Sequence, residues 1–253
     1  MARTLRRTSL SDKDYARVAE RVLKAAAEPV QARALQEVAG LKSQELGPVL
    51  RCLRYEGRLL ALAGDSLMSG THRYVAAKRW TGSDLAASDG DDALSWLAGE
   101  YLKGYGPARA GDFAWWAGVT KKRAAAALEG HHTVDVGDGL LLPARDQEAF
   151  GRVKKVRGTV DLLPKWDAYT MGHAADGRTR FVHPDVQRPV YTPIGTGLAG
   201  DGNPVVLVDG EVAGLWSYTI KDGPSVEPFD SFGPSVRRKV EGALERVVAF
   251  LSS

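Results

Sequence analysis

Two stretches of this chain, Pro29-Val-Gln-Ala-Arg-Ala-Leu-Gln-Glu-Val-Ala-Gly-Leu and Pro107-Ala-Arg-Ala-Gly-Asp-Phe-Ala-Trp-Trp-Ala-Gly-Val, align without a gap at an offset of 78 residues. Pro29 meets Pro107, Ala32 meets Ala110, Leu35 meets Phe113, Val38 meets Trp116, Ala39-Gly40 meets Ala117-Gly118, and further on Leu50 meets Leu128. The shared positions are apolar or glycine at helical spacing, which is the mark of one supersecondary unit written twice.

The surroundings of the first copy say which unit it is. Ser11 and Asp14 form a capping box that opens a helix with an apolar stripe of Tyr15, Val18, Ala19, Val22 and Leu23. Pro29 ends that helix, a short helix follows over Ala32 to Ala39, and after the Gly40-Leu41-Lys42 turn a third helix starts near Ser43, carrying Val49, Leu50, Leu53 and Tyr55. Beyond Gly57, the stretch from Arg58 to Met68, interrupted by Gly64-Asp65-Ser66, reads as two short strands around a turn. Helix, helix, tight turn, helix and hairpin is the order of the winged helix. The second copy repeats it with helices from about Asp92 to Leu102, Arg109 to Ala117 and Lys121 to Leu128, and a wing across Gly137-Asp138-Gly139.

After residue 156 the pattern turns to strands. Val160-Asp-Leu-Leu, Pro204-Val-Val-Leu-Val and Val212 to Ile220 are rich in β-branched and aromatic residues, and Asp209-Gly210 is a hairpin turn. An amphipathic helix from about Ser235 to Leu251 closes the chain. The expected fold is therefore α+β: winged-helix units at 9–80 and 92–150, a Ser-, Asp- and Gly-rich linker at 81–91, and a small β-barrel-like domain with a terminal helix at 156–253.

The overall charge of +3 is modest, but residues 1–80 hold 15 Lys/Arg against 8 Asp/Glu, residues 81–150 hold 6 against 11, and residues 151–253 hold 13 against 12. A basic first segment suits a phosphate backbone, and lysines on solvated helices produce the same count with no partner. The apolar runs fall far short of the roughly 20 residues of a membrane span. The basic start lacks a signal-peptide core, so a cytoplasmic protein is expected. Cys52 alone forms no internal disulfide and reads as a buried helix residue, and neither it nor His131-His132 makes a zinc site. No metal and no cofactor is expected.

In a helix-turn-helix the residues at the start of the second helix reach the major groove. That selects Lys42, Ser43 and Gln44, with Arg51 and Arg54 farther along the helix and Arg58 on the wing as phosphate contacts, and Lys121, Lys122 and Arg123 in the second copy. The Gly- and Pro-rich stretch 177–202 reads as a mobile loop or long hairpin that brings Arg178 and Arg180 to DNA. Trp116 belongs to the core and Trp115 packs between units. Asp167, Tyr169 and His173 cluster after the first C-terminal strand, as an acid–base group or as a buried polar network.

The segments Tyr101 to Thr120, Leu162-Leu-Pro-Lys-Trp-Asp-Ala-Tyr and Val206-Leu-Val-Asp-Gly-Glu-Val-Ala-Gly-Leu-Trp resemble the winged-helix DNA-binding family that includes the azinomycin-resistance, crosslink-unhooking DNA glycosylases. The resemblance runs over roughly residues 10 to 250. It implies tandem winged helices, a C-terminal β-barrel, double-stranded DNA as partner, and excision of bulky or crosslinked N7-alkylated purines without a metal. It also implies a catalytic Gln-x-Gln or Gln-x-Asp motif in an additional N-terminal winged helix, after which this chain is expected to begin. Gln31, Gln36, Gln44, Gln147 and Gln187 form no such pair, so no catalytic residue carries over. Three readings stay open: a DNA-binding protein that recognises alkylated or damaged DNA, a glycosylase with Asp167 as the best candidate for holding water, and a winged-helix protein-interaction module. Oligomeric state is not legible in the sequence.

Overall fold

The computed structural model describes residues 10–64, 71–85, 90–194 and 198–251. The chain divides into two compact units, 1–87 and 88–253.

The first unit begins with α1 (Asp12–Ala25), where Ser11 Oγ accepts from the Asp14 backbone N–H at 3.2 Å and donates to its carboxylate at 2.7 Å. The stripe of Tyr15, Val18, Ala19 and Val22 is buried. Then come β1 (Val30–Gln31), α2 (Ala32–Ala39), α3 (Ser43–Tyr55), β2 (Leu59–Leu62), β3 (Arg73–Ala76) and α4 (Ala77–Thr81). Leu35, Val49, Cys52, Leu53 and Leu59 fill the core between the helices and the sheet, which has the order β1-β3-β2. The wing differs from expectation in its second strand. The partner of β2 is Arg73–Ala76, with Leu59 opposite Ala76 and Leu62 opposite Arg73, whereas Leu67-Met68 lies outside the described residues. Tyr74 and Val75 supply the β-forming side chains there, and Val75 is buried.

The second unit repeats the plan with α5 (Gly90–Tyr105), α6 (Ala110–Ala117), α7 (Lys121–Glu129), β4 (Thr133–Asp135) and β5 (Leu141–Pro143). The repeat holds to the residue. Helices α2 and α6 start at Ala32 and Ala110, α3 and α7 at Ser43 and Lys121, and the turns between them sit on Gly40 and Gly118 in the left-handed conformation at φ 67° and 66°. Even the third wing strand recurs: Val30 pairs with Tyr74, and its counterpart Ala108 pairs with Leu141 as a single bridge. Phe113 takes the buried place of Leu35. Trp116 is partly buried against Tyr101 and Tyr105, at ring separations of 5.2 and 5.6 Å.

After the one-turn helix α8 (Gln147–Gly151), the irregular connector 152–158 leads into β6 (Val160–Leu163) and α9 (Ala168–Met171). Two short 3-10 turns, α10 (Gln187–Val190) and the hairpin β7 (Tyr191–Ile194) and β8 (Leu198–Gly202) follow, with 195–197 outside the described residues. Strands β9 (Val205–Val208), β10 (Glu211–Thr219) and β11 (Gly223–Pro228) complete an antiparallel sheet of order β11-β10-β9-β6. Asp209 and Gly210 turn the β9–β10 hairpin with φ of 54° and 84°, the conformation the Asp-Gly pair favours. The terminal helix α11 (Pro234–Leu251) packs against β6 and β11, and Val205, Leu207, Val212, Phe181 and Val182 form the core below the sheet.

Candidate nucleic-acid interface and polar cavity

The two helix starts selected from the sequence are exposed. Lys42, Ser43 and Gln44 open α3, with the Lys42 backbone N–H donating to the Glu45 carboxylate at 2.9 Å, so the helix is capped while the Lys42 side chain stays free to reach outward. Arg51 and Arg54 lie exposed on the same helix. Arg58 is partly committed, its guanidinium 3.3 Å from Glu56, a carboxylate that also accepts from the Tyr15 hydroxyl. In the second unit Thr120 caps α7, and Lys121 and Lys122 project from its first turn, while Arg123 pairs with Asp91 at 2.7 Å. Cations at a helix start are mildly disfavoured by the helix dipole, and Asp91 offsets that cost for Arg123 only. Lys121 and Lys122 have no carboxylate within ion-pair distance among the described residues.

Sequence reading passed over a second group of cations. The connector carries Lys154, Lys155 and Arg157, all exposed, beside the exposed Val153 and Val156. Its end is held by Lys239 of α11, whose ammonium donates to the Gly158 carbonyl, and Arg237 and Arg238 sit exposed next to it. The run Arg152-Val-Lys-Lys-Val-Arg was the available signal, outweighed by the near-zero net charge of the segment around it.

The loop cations Arg178 and Arg180 require correction. Arg178 is 1% exposed, with its guanidinium 3.9 Å from the Tyr191 ring centre and 4.8 Å from that of Trp115, and its Nε–H donates to the His173 carbonyl. It is the bolt between α6 and the β-rich segment, and Trp115 is the partner that α6 offers it. Burial lowers its pKa. The sequence placed it on a mobile loop because Gly177 and the prolines read as breakers. In fact Gly177 is buried where a Cβ would lie 2.5 Å from the Asp112 carboxylate, so the glycine serves close packing. Arg180 is one-third exposed but donates from each guanidinium nitrogen to a group inside the protein, the carbonyls of Gly177 and Pro107 and His173 Nδ1 at 2.9 Å.

These residues surround Asp112, which is fully buried. Its carboxylate accepts from the Arg109 backbone N–H, from Arg109 Nε and Nη2, and from the Ala174 N–H, at 3.0 to 3.1 Å, and Arg180 Nη2 stands 3.6 Å away. Burial alone would raise the Asp112 pKa, but the Arg109 and Ala174 hydrogen bonds hold it below the usual carboxylate range. Arg109 also grips Asp176 at 2.9 Å, so one guanidinium ties the second winged helix to the segment after α9.

Beside this node lies a cavity of about 340 Å³ bordered by Tyr105, Pro107, Tyr169, His173, Arg180 and Phe181. Gly172 lets the wall close up, since a Cβ there would meet the Tyr105 ring at 2.3 Å. Of the three residues grouped from the sequence, Tyr169 and His173 come together at the cavity. Asp167 does not line it. Its Oδ1 caps α9 by accepting from the Tyr169 N–H at 2.8 Å. The Tyr169 hydroxyl donates to the Gly210 carbonyl at 3.0 Å. Burial, reinforced by Arg180, pushes the His173 pKa down to about 4. Arginine only donates, so the Arg180 bond to Nδ1 fixes a neutral imidazole with its proton on Nε2.

His131, half of the adjacent histidine pair, contacts the Ser95 carbonyl through Nε2 at 2.8 Å. Among the described residues no three His, Cys, Asp or Glu side chains converge on a metal position, and no helix is long and apolar enough to cross a membrane.

No curated protein matches the chain. Among solved structures it is similar to Streptomyces sahachiroi DNA glycosylase AlkZ, with a TM-score of 0.70 and 20% sequence identity over 92% of this chain and 66% of that one. The chain thus spans about two thirds of the length of that protein, and at this identity the likeness is one of fold. A family model described as DNA glycosylase AlkZ-like matches residues 1–250. That match covers nearly the whole chain, and the chain belongs to the AlkZ-like DNA glycosylase family.

Proposed function

We propose that this chain binds double-stranded DNA through the starts of α3 and α7 and recognises alkylated or otherwise damaged sites. The observation that carries the reading is that a helix placed twice by the same 78-residue repeat opens both times on exposed cations, Lys42 in one copy and Lys121-Lys122 in the other. A solvated helix end gains nothing from unpaired cations at its positive pole, whereas a phosphate or a guanine edge does. Arg51, Arg54 and the connector cations Lys154, Lys155 and Arg157 extend the basic surface of their respective units.

The test is binding of a labelled duplex by Lys121→Glu with Lys122→Glu, and separately by Arg51→Ala with Arg54→Ala. Each pair weakens binding at least about tenfold if its helix contacts phosphates, since every phosphate left unneutralised removes a counterion-release contribution. Unchanged affinity in both pairs would leave the winged helices with another partner, such as a protein.

Family membership favours a second reading, in which the chain also releases the damaged base. An N7-alkylated duplex incubated with the chain would then yield free base and an alkali-labile abasic strand. Asp167→Asn tests the one carboxylate nominated from sequence. Because Oδ1 of Asp167 serves as a helix cap, loss of base release in that variant counts only if its thermal stability is unchanged.

A further inference from the structure

We infer that the cavity between Tyr105 and Tyr169 receives a single unstacked nucleobase of the bound DNA, a reading that rests on the DNA-binding function proposed above. Three features of the wall fit such a ligand. Tyr169 and Phe181 are in ring contact at 4.8 Å, and Tyr105 stands edge-on to His173 at 6.4 Å, so flat apolar surfaces border the space. His173, 8% exposed, has Nδ1 occupied by Arg180, which leaves Nε2–H as a fixed donor with no hydrogen-bond partner among the described residues. The Tyr169 oxygen, having donated its proton to the Gly210 carbonyl, is left as an acceptor. Aromatic faces with one fixed donor and one fixed acceptor match the edge of a heteroaromatic base.

A phosphate fits less well. Among the described residues Arg180 is the only cation on the wall, each of its three guanidinium nitrogens already donates once within the protein, and the Asp112 carboxylate 3.6 Å from Nη2 offsets its charge, so little positive charge is left to hold a phosphate. The same arrangement also makes the donor dependable. A histidine free to change tautomer would offer either a donor or an acceptor, and Arg180 removes the choice.

Extruding a base from a duplex costs stacking and pairing, so a site of this kind prefers a base that is already unpaired. The experiment uses the full chain and two labelled duplexes, one fully paired and one with 2-aminopurine as a single-base bulge. The wild-type chain is expected to bind the bulged duplex at least about tenfold more tightly, and to shield the 2-aminopurine from acrylamide quenching. His173→Gln and Tyr169→Ala, each checked for folding by thermal melting, are expected to bring the affinity ratio below about twofold and to restore quenching. Should one variant fail to fold, the other still reads the ratio. Equal affinity for the two duplexes, or a preference and shielding kept by a folded variant, would overturn the proposal while leaving duplex binding intact. Failure of the wild-type chain to bind either duplex would instead remove the DNA-binding reading and this proposal with it.

Discussion

Asp112 shows how much of this molecule is decided by single polar residues. A fully buried carboxylate is tolerated because Arg109 and Ala174 supply its hydrogen bonds. Asp112→Ala leaves the half-buried Arg109 guanidinium and the Ala174 N–H without their acceptor and is expected to cost about 3 kcal/mol or more in urea unfolding. Gly177→Ala drives a methyl group toward the same carboxylate and is expected to cost about 1–3 kcal/mol, the usual penalty of overpacking. His173 gives a pH dependence of known sign. Its folded pKa of about 4 lies below the ordinary 6.5, so the unfolded chain takes the proton first as pH falls. The stability it contributes is complete above about pH 6.5 and is lost progressively toward pH 4. Urea midpoints at pH 7 and pH 5 therefore differ in the wild-type chain, and differ less in His173→Gln. The Arg109–Asp112 half of the node is an i, i+3 pair that the sequence analysis passed over, and its other partners, Ala174, Asp176 and Arg180, stand more than 60 residues away where no local pattern announces them.

At the scale of elements, the repeat was the most legible feature, because helix starts, caps and buried faces are local properties that recur together. The starts of α2, α3, α6 and α7 and the left-handed turns at Gly40 and Gly118 all follow from aligning the chain with itself. A side chain at either glycine would meet nothing within 4 Å, so the cost of substitution there is purely conformational. Gly40→Ala and Gly118→Ala are each expected to lower stability by about 1 kcal/mol, and the two losses should add in the double variant because they fall in separate units. A stabilising effect at either position would mean that the turn geometry is misassigned. Less legible were the second strand of the first wing and the run of short turns between α9 and β7. In that second case glycine and proline signalled a loop, while tertiary packing of the buried Arg178, Phe181 and Val182 made it a run of short helical turns pinned to the core. Composition marks where a chain turns but says little about what the turn packs against.

Over the whole molecule, the two compact units each carry a helix-turn-helix with exposed cations at its start, and the second unit adds the β-rich segment and a cavity with a defined hydrogen-bonding edge. The net charge of +3 understates this arrangement, because the acidic residues of 81–150 offset the cations in the total without neutralising Lys121 and Lys122. The proposed duplex binding is therefore expected to be electrostatic in character and to draw on cations of both units. The most direct test is fluorescence anisotropy of a labelled duplex of about 20 base pairs, titrated with the chain at several salt concentrations. A log–log slope of about −3 to −6 is predicted, at roughly −0.9 per phosphate neutralised, and it should shrink by about 1 for each phosphate left unneutralised when Arg51, Arg54, Lys121 and Lys122 are changed to alanine. No binding at low salt, or a slope that the four substitutions leave unchanged, would contradict it.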